Sequence, residues 1–416
     1  MTFPLNDPMA SLEVDADRLW SRHMEMARIG AIADEGVCRL AMSKEDSQAR
    51  ELLATWCRDA GLEIHIDRAG NMFAVRPGTE PGRAVIASGS HLDTQPHGGR
   101  FDGVSGVLAA LEVVETLNDG GVQTAAPIAV VNWTNEEGVR YAPGLLGSAW
   151  YAGLIDDERL AGVRTADGTL FVDEARERGW LGEHPGKFEM GAFVELHIEQ
   201  GPVLEREGRQ VGIVTSVQGL KWLDVDVTGM DAHAGTTPLD QRQDALLAST
   251  RMLVALNEAG RRCGPAARVS VGRLRTATDG PSTIVGHASF VIDIRHPDVA
   301  MLASLSEECA AICRDIGTAS DCAVRVDERI SVPPVDFDTH CVDMLERGAI
   351  YRGYAYRRMT SGALHDAANV ARVAPTAMLF VPCRDGISHN VNEYAAPEDL
   401  AAGANVLLNA LYKLAI

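Results

Sequence analysis

Short apolar runs alternate with stretches of helical periodicity in the first half of the chain. Three of the runs predict strands buried within a sheet, at residues 84–88, 128–133 and 192–197. Apolar side chains recur at helical spacing over residues 102–117, and Gly120 follows as a stop signal. The more polar residues 151–190 predict two short helices. Strands that alternate with helices predict an α/β domain with a mostly parallel sheet covered by helices.

A second rhythm runs through the middle of the chain. Its predicted order is β-α-β-β-α-β, with strands at 220–228, 267–274, 288–295 and 323–330 and helices at 243–259 and 299–316. This order is that of a ferredoxin-like domain, which leaves one face of its sheet free. The first rhythm resumes beyond Pro333, with an apolar strand at residues 376–381. We therefore predict a catalytic domain of residues 1–212 and 331–416, interrupted by a lid or dimerisation domain of residues 213–330.

The composition is that of a globular protein, with 46% hydrophobic and 23% charged residues. Its 38 basic and 58 acidic residues give a net charge of −20. A field of that sign repels nucleic-acid phosphates and anionic lipid heads, so we expect neither nucleic acid nor a membrane as a partner. An anionic substrate would need a local basic group to overcome this field.

The sequence predicts neither export nor membrane insertion. Residues 1–10 lack a basic stretch followed by an apolar core, which is the pattern of a signal peptide. No apolar run reaches the ~18 residues of a membrane span. The eight cysteines form no C-x-x-C pair, and a chain of this length does not call for a disulfide framework. We expect a cytoplasmic protein.

Side chains that can bind metals follow the predicted strands. His91 and Asp93 come directly after the strand at 84–88, at the edge where α/β sheets place their ligands. Two residues apart in an extended segment, they should not both bind one metal. We expect His91 to be a ligand and Asp93 to be the acceptor that orients its ring. A solvated loop is the alternative interpretation of so short a motif.

Carboxylates follow in two further segments. Asp102 lies in a glycine-rich turn before a predicted helix, and the alternative to a ligand is an N-cap. Glu136 and Glu137 follow the strand at 128–133, where a surface turn is the alternative. Adjacent carboxylates are costly at a strand end unless positive charge lies nearby. At a two-metal centre, one would bind metal and the other would accept a proton from water.

Two histidines complete the set. His197 shares a strand face with Glu195 and Glu199, and His389 follows the late strand at 376–381. A buried structural histidine is the alternative for each. The combination carries more weight than any one motif, because every group follows an apolar strand. Imidazole and carboxylate ligands without thiolate suit zinc, manganese, cobalt or nickel, and we expect two divalent ions per subunit.

Seven motifs together resemble the M20 metallopeptidase-like amidohydrolases. They are GSHLDTQPHGGRFDG, TNEEGVRY, ELHIEQGPVLE, DAHAGTTP, FVIDIRHPD, SGALHDA and GISHN. The resemblance extends from about residue 15 to the C-terminus. It is to the branch that contains N-carbamoyl-L-amino-acid hydrolases, β-ureidopropionases and allantoate amidohydrolases.

The resemblance implies a role for each candidate metal ligand. One metal would be held by His91, Asp102 and His197, and the other by Asp102, Glu137 and His389. Asp102 would bridge the two metals, and Glu136 would be the general base. Peptidase relatives usually carry a carboxylate at the position of His197, so this histidine indicates the carbamoylase branch.

The resemblance also implies substrate contacts. His233 would reach the active site of a partner subunit and stabilise an oxyanion, which predicts a homodimer. Gln200 and His365 would contact the scissile group, and Arg295 would bind a substrate carboxylate through a bidentate fork. A surface loop histidine and a surface ion pair are the alternatives for His233 and Arg295. Ser282 stands thirteen residues before Arg295, where relatives often carry asparagine, so the polar end of the substrate should differ.

The expected activity is hydrolysis of a linear, non-peptide amide bond. The substrate would be a small ureido or amide compound with a carboxylate, foremost an N-carbamoyl amino acid that yields the free amino acid, carbon dioxide and ammonia. Allantoate, ureidoglycolate or an N-acyl amino acid are the alternatives. A metal-binding homologue without turnover is a further one, but such a protein would have no need of both Glu136 and Glu137.

Overall fold

The computed structural model describes residue 9 and residues 11–80, 82–182 and 188–416. Residues 1–10, in which we found no signal-peptide pattern, lie outside the described residues except for Met9. Contacts divide the chain into two compact units. The first unit consists of Met1–Thr215 and Phe337–Ile416, and the second consists of Ser216–Asp336.

Within the described residues, the part of the first unit that precedes the second unit in sequence contains seven α-helices and six strands. The helices are α1 (Ala16–Met26), α2 (Lys44–Asp59), α3 (Val104–Asp119), α4 (Leu146–Tyr151), α5 (Asp157–Ala161), α6 (Phe171–Glu177) and α7 (Val203–Glu207). The strands are β1 (Glu63–Ile66), β2 (Met72–Arg76), β3 (Val85–His91), β4 (Ile128–Trp133), β5 (Met190–Ile198) and β6 (Val211–Val217). The short helices α5 and α6 confirm the prediction for residues 151–190.

The second unit and the return of the chain contribute the remaining elements. The second unit contains β7 (Gly219–Thr228), β8 (Ala232–His233), α8 (Ala245–Cys263), β9 (Arg268–Thr276), β10 (Thr283–Ile284), β11 (His287–His296), α9 (Val299–Ala319), β12 (Ala323–Val332) and β13 (Val335–Asp336). The first unit then continues with α10 (Thr339–Arg352), β14 (Tyr356–Ser361), α11 (Asp366–Val370), β15 (Thr376–Val381) and α12 (Pro397–Ala415).

The large sheet has the strand order β1-β2-β4-β3-β5-β15-β6, and β13 and β14 also pair with β6. Its four central strands, β4, β3, β5 and β15, run parallel, as predicted. Antiparallel strands flank them on both sides, because β2 pairs with β4 and β6 pairs with β15 in that sense. All residues of β3, β4 and β15 are buried, which accounts for the apolar runs that predicted these strands. The carboxyl ends of the four parallel strands therefore meet at one edge.

Helices bury these strands. Helix α3 contacts β3, β4 and β5, and α12 contacts β3, β5 and β15 as well as α3. Most of α3 and α12 is buried, in keeping with their high apolar content. Helix α12 begins at Pro397, whose fixed φ suits the first helical turn and whose missing N–H is not needed there. The predicted α/β class is confirmed.

The second unit is a four-stranded antiparallel sheet in the order β12-β7-β11-β9. Alternate residues of β11 are buried, and Phe290, Ile292 and Ile294 belong to an apolar core that also contains Leu256 of α8 and Leu302 of α9. The predicted βαββαβ order is confirmed, with the two-residue strands β8 and β10 as additions. Among the helices of the described ranges, none has the length and apolarity required to cross a bilayer.

Candidate metal centre

The candidate ligands of the first unit lie at the carboxyl edge of the parallel strands. His91 is the last residue of β3, and His197 is the last but one of β5. Glu136 and Glu137 follow β4, and His389 follows β15. Open α/β sheets place their ligands at this edge, because the loops that leave the strands converge there.

The Asp102 carboxylate occupies the centre of this group. Its Oδ1 lies 3.0 Å from His197 Nε2 and 3.8 Å from His91 Nε2. Its Oδ2 lies 3.3 Å from His389 Nε2, which in turn is 3.5 Å from Glu137 Oε2. Two sets of potential ligand atoms therefore share Asp102, and within each set all atoms lie within 4.8 Å of one another. The two sets are His91, Asp102 and His197, and Asp102, Glu137 and His389.

Asp102 does not cap the helix that follows it. Helix α3 begins at Val104, and its N-cap is Gly103, so the alternative interpretation of Asp102 as an N-cap is wrong. Gly103 has a φ of 68°, and a Cβ there would come within 2.3 Å of the His91 ring. Only glycine meets both constraints. The turn thus brings its backbone against His91 and leaves the Asp102 carboxylate facing the histidines.

The ring of His91 is oriented by Asp93, but through the backbone. His91 Nδ1 lies 2.9 Å from the carbonyl oxygen of Asp93, whereas Asp93 Oδ1 is 3.9 Å away. The Asp93 carboxylate instead accepts the backbone N–H groups of Glu136 and Glu137. His197 Nδ1 likewise lies 2.9 Å from the carbonyl of Ile198. Because carbonyls only accept, both rings donate from Nδ1, and the Nε2 atom of each ring faces Asp102.

The carboxylates of this group have opposite pKa shifts. Burial raises the pKa of Asp102, but hydrogen bonds from His197 and His389 outweigh it and bring the pKa well below its usual range. Burial and repulsion by Glu137 raise the pKa of Glu136 well above its usual range. Burial and repulsion by Asp102 raise the pKa of Glu137 to about 8. Buried carboxylates that repel one another are the surroundings that a divalent cation stabilises.

The donor set fits divalent metals of the first transition series. A hydrogen bond to Asp102 raises the pKa of His389 to about 9. Burial lowers the pKa of His197, but its hydrogen bond to Asp102 outweighs burial and raises this pKa to about 9. In both cases the pKa is raised by the negative charge of Asp102, which a divalent cation bound by the same three groups would neutralise. Imidazole and carboxylate donors without thiolate suit zinc, manganese, cobalt or nickel.

A further group shares His197. Glu195, His197 and His365 also offer ligand atoms within 4.8 Å of one another. Glu195 is already engaged, since its oxygens accept Ser90 Oγ at 2.6 Å and the backbone N–H of Ala367 at 2.9 Å. The His365 ring lies 4.6 Å from that of His197, and burial lowers its pKa well below the usual range. His365 is therefore a neutral imidazole beside the centre.

Gln200 lies against the same carboxylate. Its Nε2 donates to Asp102 Oδ2 at 2.9 Å and also lies 3.1 Å from Ser388 Oγ. Its Oε1 is buried, and no hydrogen-bond partner reaches it from the described residues. The opposite orientation of the amide would place Oε1 against the Asp102 carboxylate.

Gln200 and His389 both have left-handed backbones, with φ of 55° and 54°, which is unusual for residues other than glycine.

Three residues near the centre were not predicted from the sequence. Gln95 Nε2 donates to Glu137 Oε2 at 2.6 Å. Ser388 Oγ donates to Asp102 Oδ2 at 2.9 Å, and Glu393 accepts the backbone N–H of Asp102 at 3.0 Å. Gln95 and Ser388 lie within motifs that were recognised, so their polarity was a usable signal. Glu393 lies four residues beyond His389 in a loop without periodicity, and no signal marked it.

The other predicted site residues belong to the second unit. His233 lies in β8, which pairs with β10, and Ala234 N donates to the carbonyl of Ser282 at 2.8 Å. His233 and Ser282 are thus neighbours, and both are exposed. His233 Nδ1 accepts the backbone N–H groups of Gly235 and Thr236, so a neutral ring carries its proton on Nε2.

Arg295 lies in β11 with its side chain partly buried. Its Nε and Nη2 donate to Asp293 at 2.9 and 3.1 Å, and Trp222 Nε1 also donates to Asp293 at 2.9 Å. Asp293 thus fixes the plane of the guanidinium group. A substrate carboxylate at Arg295 would compete with Asp293 for this edge or bind along the opposite one.

Comparison with known proteins identifies the family of this chain. Residues 87–413 match the model of peptidase family M20/M25/M40. An N-carbamoyl-L-amino-acid amidohydrolase from Rhizobium meliloti is 42% identical over 98% of each chain, and an allantoate amidohydrolase from Bacillus subtilis is 34% identical over 94% of this chain and 95% of the other. The crystal structure of a hydantoinase/carbamoylase family amidase from Burkholderia multivorans superposes with a TM-score of 0.94, with 43% identity, over 97% of this chain and 99% of that one.

The fold and the site define a metal-dependent amidohydrolase that acts on linear amides. The chain belongs to peptidase family M20/M25/M40, and within it to the hydantoinase/carbamoylase branch. The resemblance found in the sequence motifs is thereby confirmed.

Proposed function

We propose that the protein hydrolyses the ureido group of an N-carbamoyl amino acid. Water adds to the ureido carbonyl carbon, the bond to the amino-acid nitrogen breaks, and the free amino acid and carbamic acid result. Carbamic acid then decomposes to carbon dioxide and ammonia. The full-length similarity to an N-carbamoyl-L-amino-acid amidohydrolase supports this substrate class.

The Gln200 amide is the observation on which the proposal rests. Its Oε1 is a buried acceptor to which no donor reaches from the described residues, and its Nε2 is committed to Asp102. A buried acceptor without a partner is costly, and a substrate N–H would satisfy it. A ureido group offers N–H donors on both sides of its carbonyl. A tertiary amide or an ester would leave Oε1 without a partner.

Two divalent ions would be held by the two ligand sets that share Asp102. When bound, such ions polarise a carbonyl group and lower the pKa of water. The residues supply orientation and proton transfer. Glu136, whose pKa burial and repulsion by Glu137 raise, accepts a proton from the attacking water and returns it to the leaving nitrogen. The metal could be zinc, manganese, cobalt or nickel.

His233 and Arg295 of the second unit would contribute the remaining substrate contacts. His233 presents Nε2–H as a donor, because its Nδ1 accepts two backbone N–H groups. In a homodimer this donor would stabilise the oxyanion in the partner subunit's active site. Arg295 would bind the substrate carboxylate and provide the local positive charge that a chain with a net charge of −20 requires. The second unit would thus serve as lid and dimerisation domain.

Allantoate and related ureido acids are the second candidate class. The similarity to an allantoate amidohydrolase and the presence of Ser282 beside His233 favour it. A serine hydroxyl is shorter than an asparagine amide and would leave room for a larger polar end of the substrate.

We place the protein in the cytoplasm, because its eight cysteines are all free, as in a reducing compartment.

A metal-reconstituted activity screen tests the proposal. The purified protein, stripped with a chelator, is reloaded with each of the four metals and offered N-carbamoyl α- and β-amino acids, allantoate and N-acyl amino acids. We expect the highest kcat/KM for an N-carbamoyl α-amino acid, with ammonia released in equal amounts to amino acid. Glu136→Gln serves as the background control. Turnover of N-acyl amino acids alone would contradict the ureido assignment.

A further inference from the structure

Glu393 connects two segments that carry candidate metal ligands. It is 1% exposed, and its Oε1 accepts the backbone N–H groups of Phe101 at 2.9 Å and Asp102 at 3.0 Å. Its Oε2 lies 3.2 Å from Ser388 Oγ, next to His389 in sequence. One buried carboxylate therefore joins the turn of Asp102 to the loop of His389, nearly 300 residues away in the chain.

The loop of His389 needs such a connection. It spans residues 384–394 and is closed at its base by a hydrogen bond from Arg384 N to the carbonyl of Tyr394, at 2.8 Å. The His389 side chain at its centre is 50% exposed, and the left-handed backbone of this residue costs free energy. Such a conformation persists only where surrounding contacts enforce it. Glu393 provides those contacts from within the loop.

Neighbouring residues strengthen the same attachment. The Tyr394 ring packs edge-on against Phe101, with centroids 5.8 Å apart, and Arg384 lies 3.9 Å from the Tyr394 ring centroid. Residues 393 and 394 thus contact residues 101 and 102 through a carboxylate and a ring side by side. The loop is thus attached to residues 101 and 102 by both hydrogen bonds and an aromatic contact.

The chain also makes space for the Glu393 carboxylate. A Cβ at Gly99 would lie 2.2 Å from Glu393 Oε1 and 2.3 Å from its Cδ. Any side chain at position 99 would displace the carboxylate from the N–H groups of Phe101 and Asp102. Gly99 and Glu393 therefore act together, although neither belongs to the two ligand sets.

We propose that Glu393 is a positioning residue that holds Asp102 and His389 in the relative geometry required to bind a divalent cation. Glu393 belongs to neither ligand set: its Oε1 accepts two backbone N–H groups of the Asp102 turn, and its Oε2 lies next to Ser388 Oγ. This inference rests on the proposed role of Asp102 and His389 as metal ligands. It predicts that metal affinity depends on a residue outside both ligand sets.

Cobalt binding measures the effect directly. Wild type, Glu393→Ala, Glu393→Gln and the control Glu398→Ala, which alters an exposed glutamate of α12, are stripped and titrated with Co²⁺ by calorimetry and visible absorption. We expect Glu393→Ala to lose about 10- to 100-fold in affinity for one of two ions, as residues behind metal ligands typically do, with an altered cobalt spectrum. Glu393→Gln should retain most of the affinity, because the amide oxygen can accept the same N–H groups. Glu398→Ala should match wild type.

Hydrogen exchange separates positioning from general destabilisation. In Glu393→Ala and in Gly99→Ala, which keeps Glu393, we expect faster exchange confined to residues 99–103 and 384–394. Unchanged cobalt affinity and unchanged exchange in Glu393→Ala would overturn the inference, as would equal losses in the Ala and Gln variants. If the wild type itself binds fewer than two cobalt ions, the two-metal proposal fails instead, and exchange still reports whether Glu393 holds the loop.

Discussion

The Asp93 carboxylate accepts the backbone N–H of Glu136, with Oδ1 3.2 Å from the nitrogen. Its Oδ2 accepts the N–H of Glu137 at the same distance. The Asp93 side chain thus holds the backbone of the turn after β4, and these hydrogen bonds do not involve the Glu136 side chain. The proposed base Glu136 is therefore held through its backbone, and its carboxyl group can gain and lose a proton without loss of this attachment.

Replacement of Glu136 by glutamine tests its role as the base. The amide has the same size but cannot accept a proton, so we expect kcat to fall by at least about 100-fold while two metal ions stay bound. Metal analysis and steady-state kinetics on the same preparation measure both. Glu137→Gln is the matched control, since loss of a ligand should lower metal content as well. Near wild-type turnover in Glu136→Gln would show that another group is the base.

Complementation tests the proposed contribution of His233 to a partner subunit. His233→Ala and Glu136→Gln should each be inactive as pure proteins, because each lacks one group at every site. In mixed dimers, one of the two sites regains both groups, so random mixing should restore roughly a quarter of wild-type activity. Activity of mixtures, compared with the sum of the separate proteins, is the measurement. No gain on mixing, in a protein that sedimentation shows to exchange subunits, would contradict the cross-subunit role.

The buried pair of Asp46 and Arg50 on α2 should contribute strongly to stability. Their side chains are 0% and 1% exposed, and Arg50 Nε lies 3.0 Å from Asp46 Oδ2. Asp46→Ala leaves a buried guanidinium without its counter-charge, and we expect a loss of about 3–5 kcal/mol in the free energy of unfolding.

The same helix offers a control. Arg58 and Glu51 form an exposed pair at 3.2 Å, so Glu51→Ala should cost less than about 1 kcal/mol. Urea denaturation of the metal-loaded proteins compares the two. The double variant Asp46→Ala/Arg50→Met should recover part of the loss, because no unpaired buried charge is left. Equal effects of the buried and exposed substitutions would refute the burial argument.

His23 should make stability depend on pH. It is fully buried, its Nδ1 donates to the Leu19 carbonyl at 2.8 Å, and burial lowers its pKa from 6.5 to about 4. Between these values the unfolded chain binds a proton that the folded chain does not. Stability from this group is therefore complete above pH 6.5 and falls as the pH drops towards 4, by about 3 kcal/mol in total.

The difference between wild type and His23→Gln isolates this contribution from the other titrating groups. We expect the free energy of unfolding of wild type to fall more steeply between pH 6.5 and 4 than that of the variant. Chemical denaturation at a series of pH values measures both slopes. Identical slopes would mean that His23 titrates alike in both states.

The sequence predicts the four central strands of the large sheet and helix α3, because apolar runs and helical spacing mark them. The runs at residues 128–133 and 376–381 match β4 and β15 in full, since parallel strands buried on both faces are mostly apolar. The hairpin of β1 and β2 was not predicted, and its first strand, Glu63–Ile66, is half-exposed and has no such run. The predicted start of α3 at residue 102 was two residues early, because glycine supplies the N-cap without a recognisable side chain.

Contacts within the site were harder to predict than positions. The topology makes the polar residues that follow parallel strands converge. It therefore brings His91 and Glu137 to one edge of the sheet. Which atom of Asp93 meets His91 depends on the path of an irregular loop, and the sequence suggested the side chain where the structure has the carbonyl. Glu393 lay beyond prediction for the same reason, because its partners are backbone N–H groups that no sequence pattern marks.

The position of β15 in the sheet has a consequence for synthesis of the protein. This strand lies between β5 and β6, although residues 376–381 are among the last to be translated. A nascent chain that has not yet reached them exposes the edge of β5, which carries His197, and lacks His389 altogether. Between the synthesis of β5 and that of β15 the nascent sheet therefore has an open edge, and a premature stop before residue 376 leaves a product that lacks both β15 and the proposed metal ligand His389.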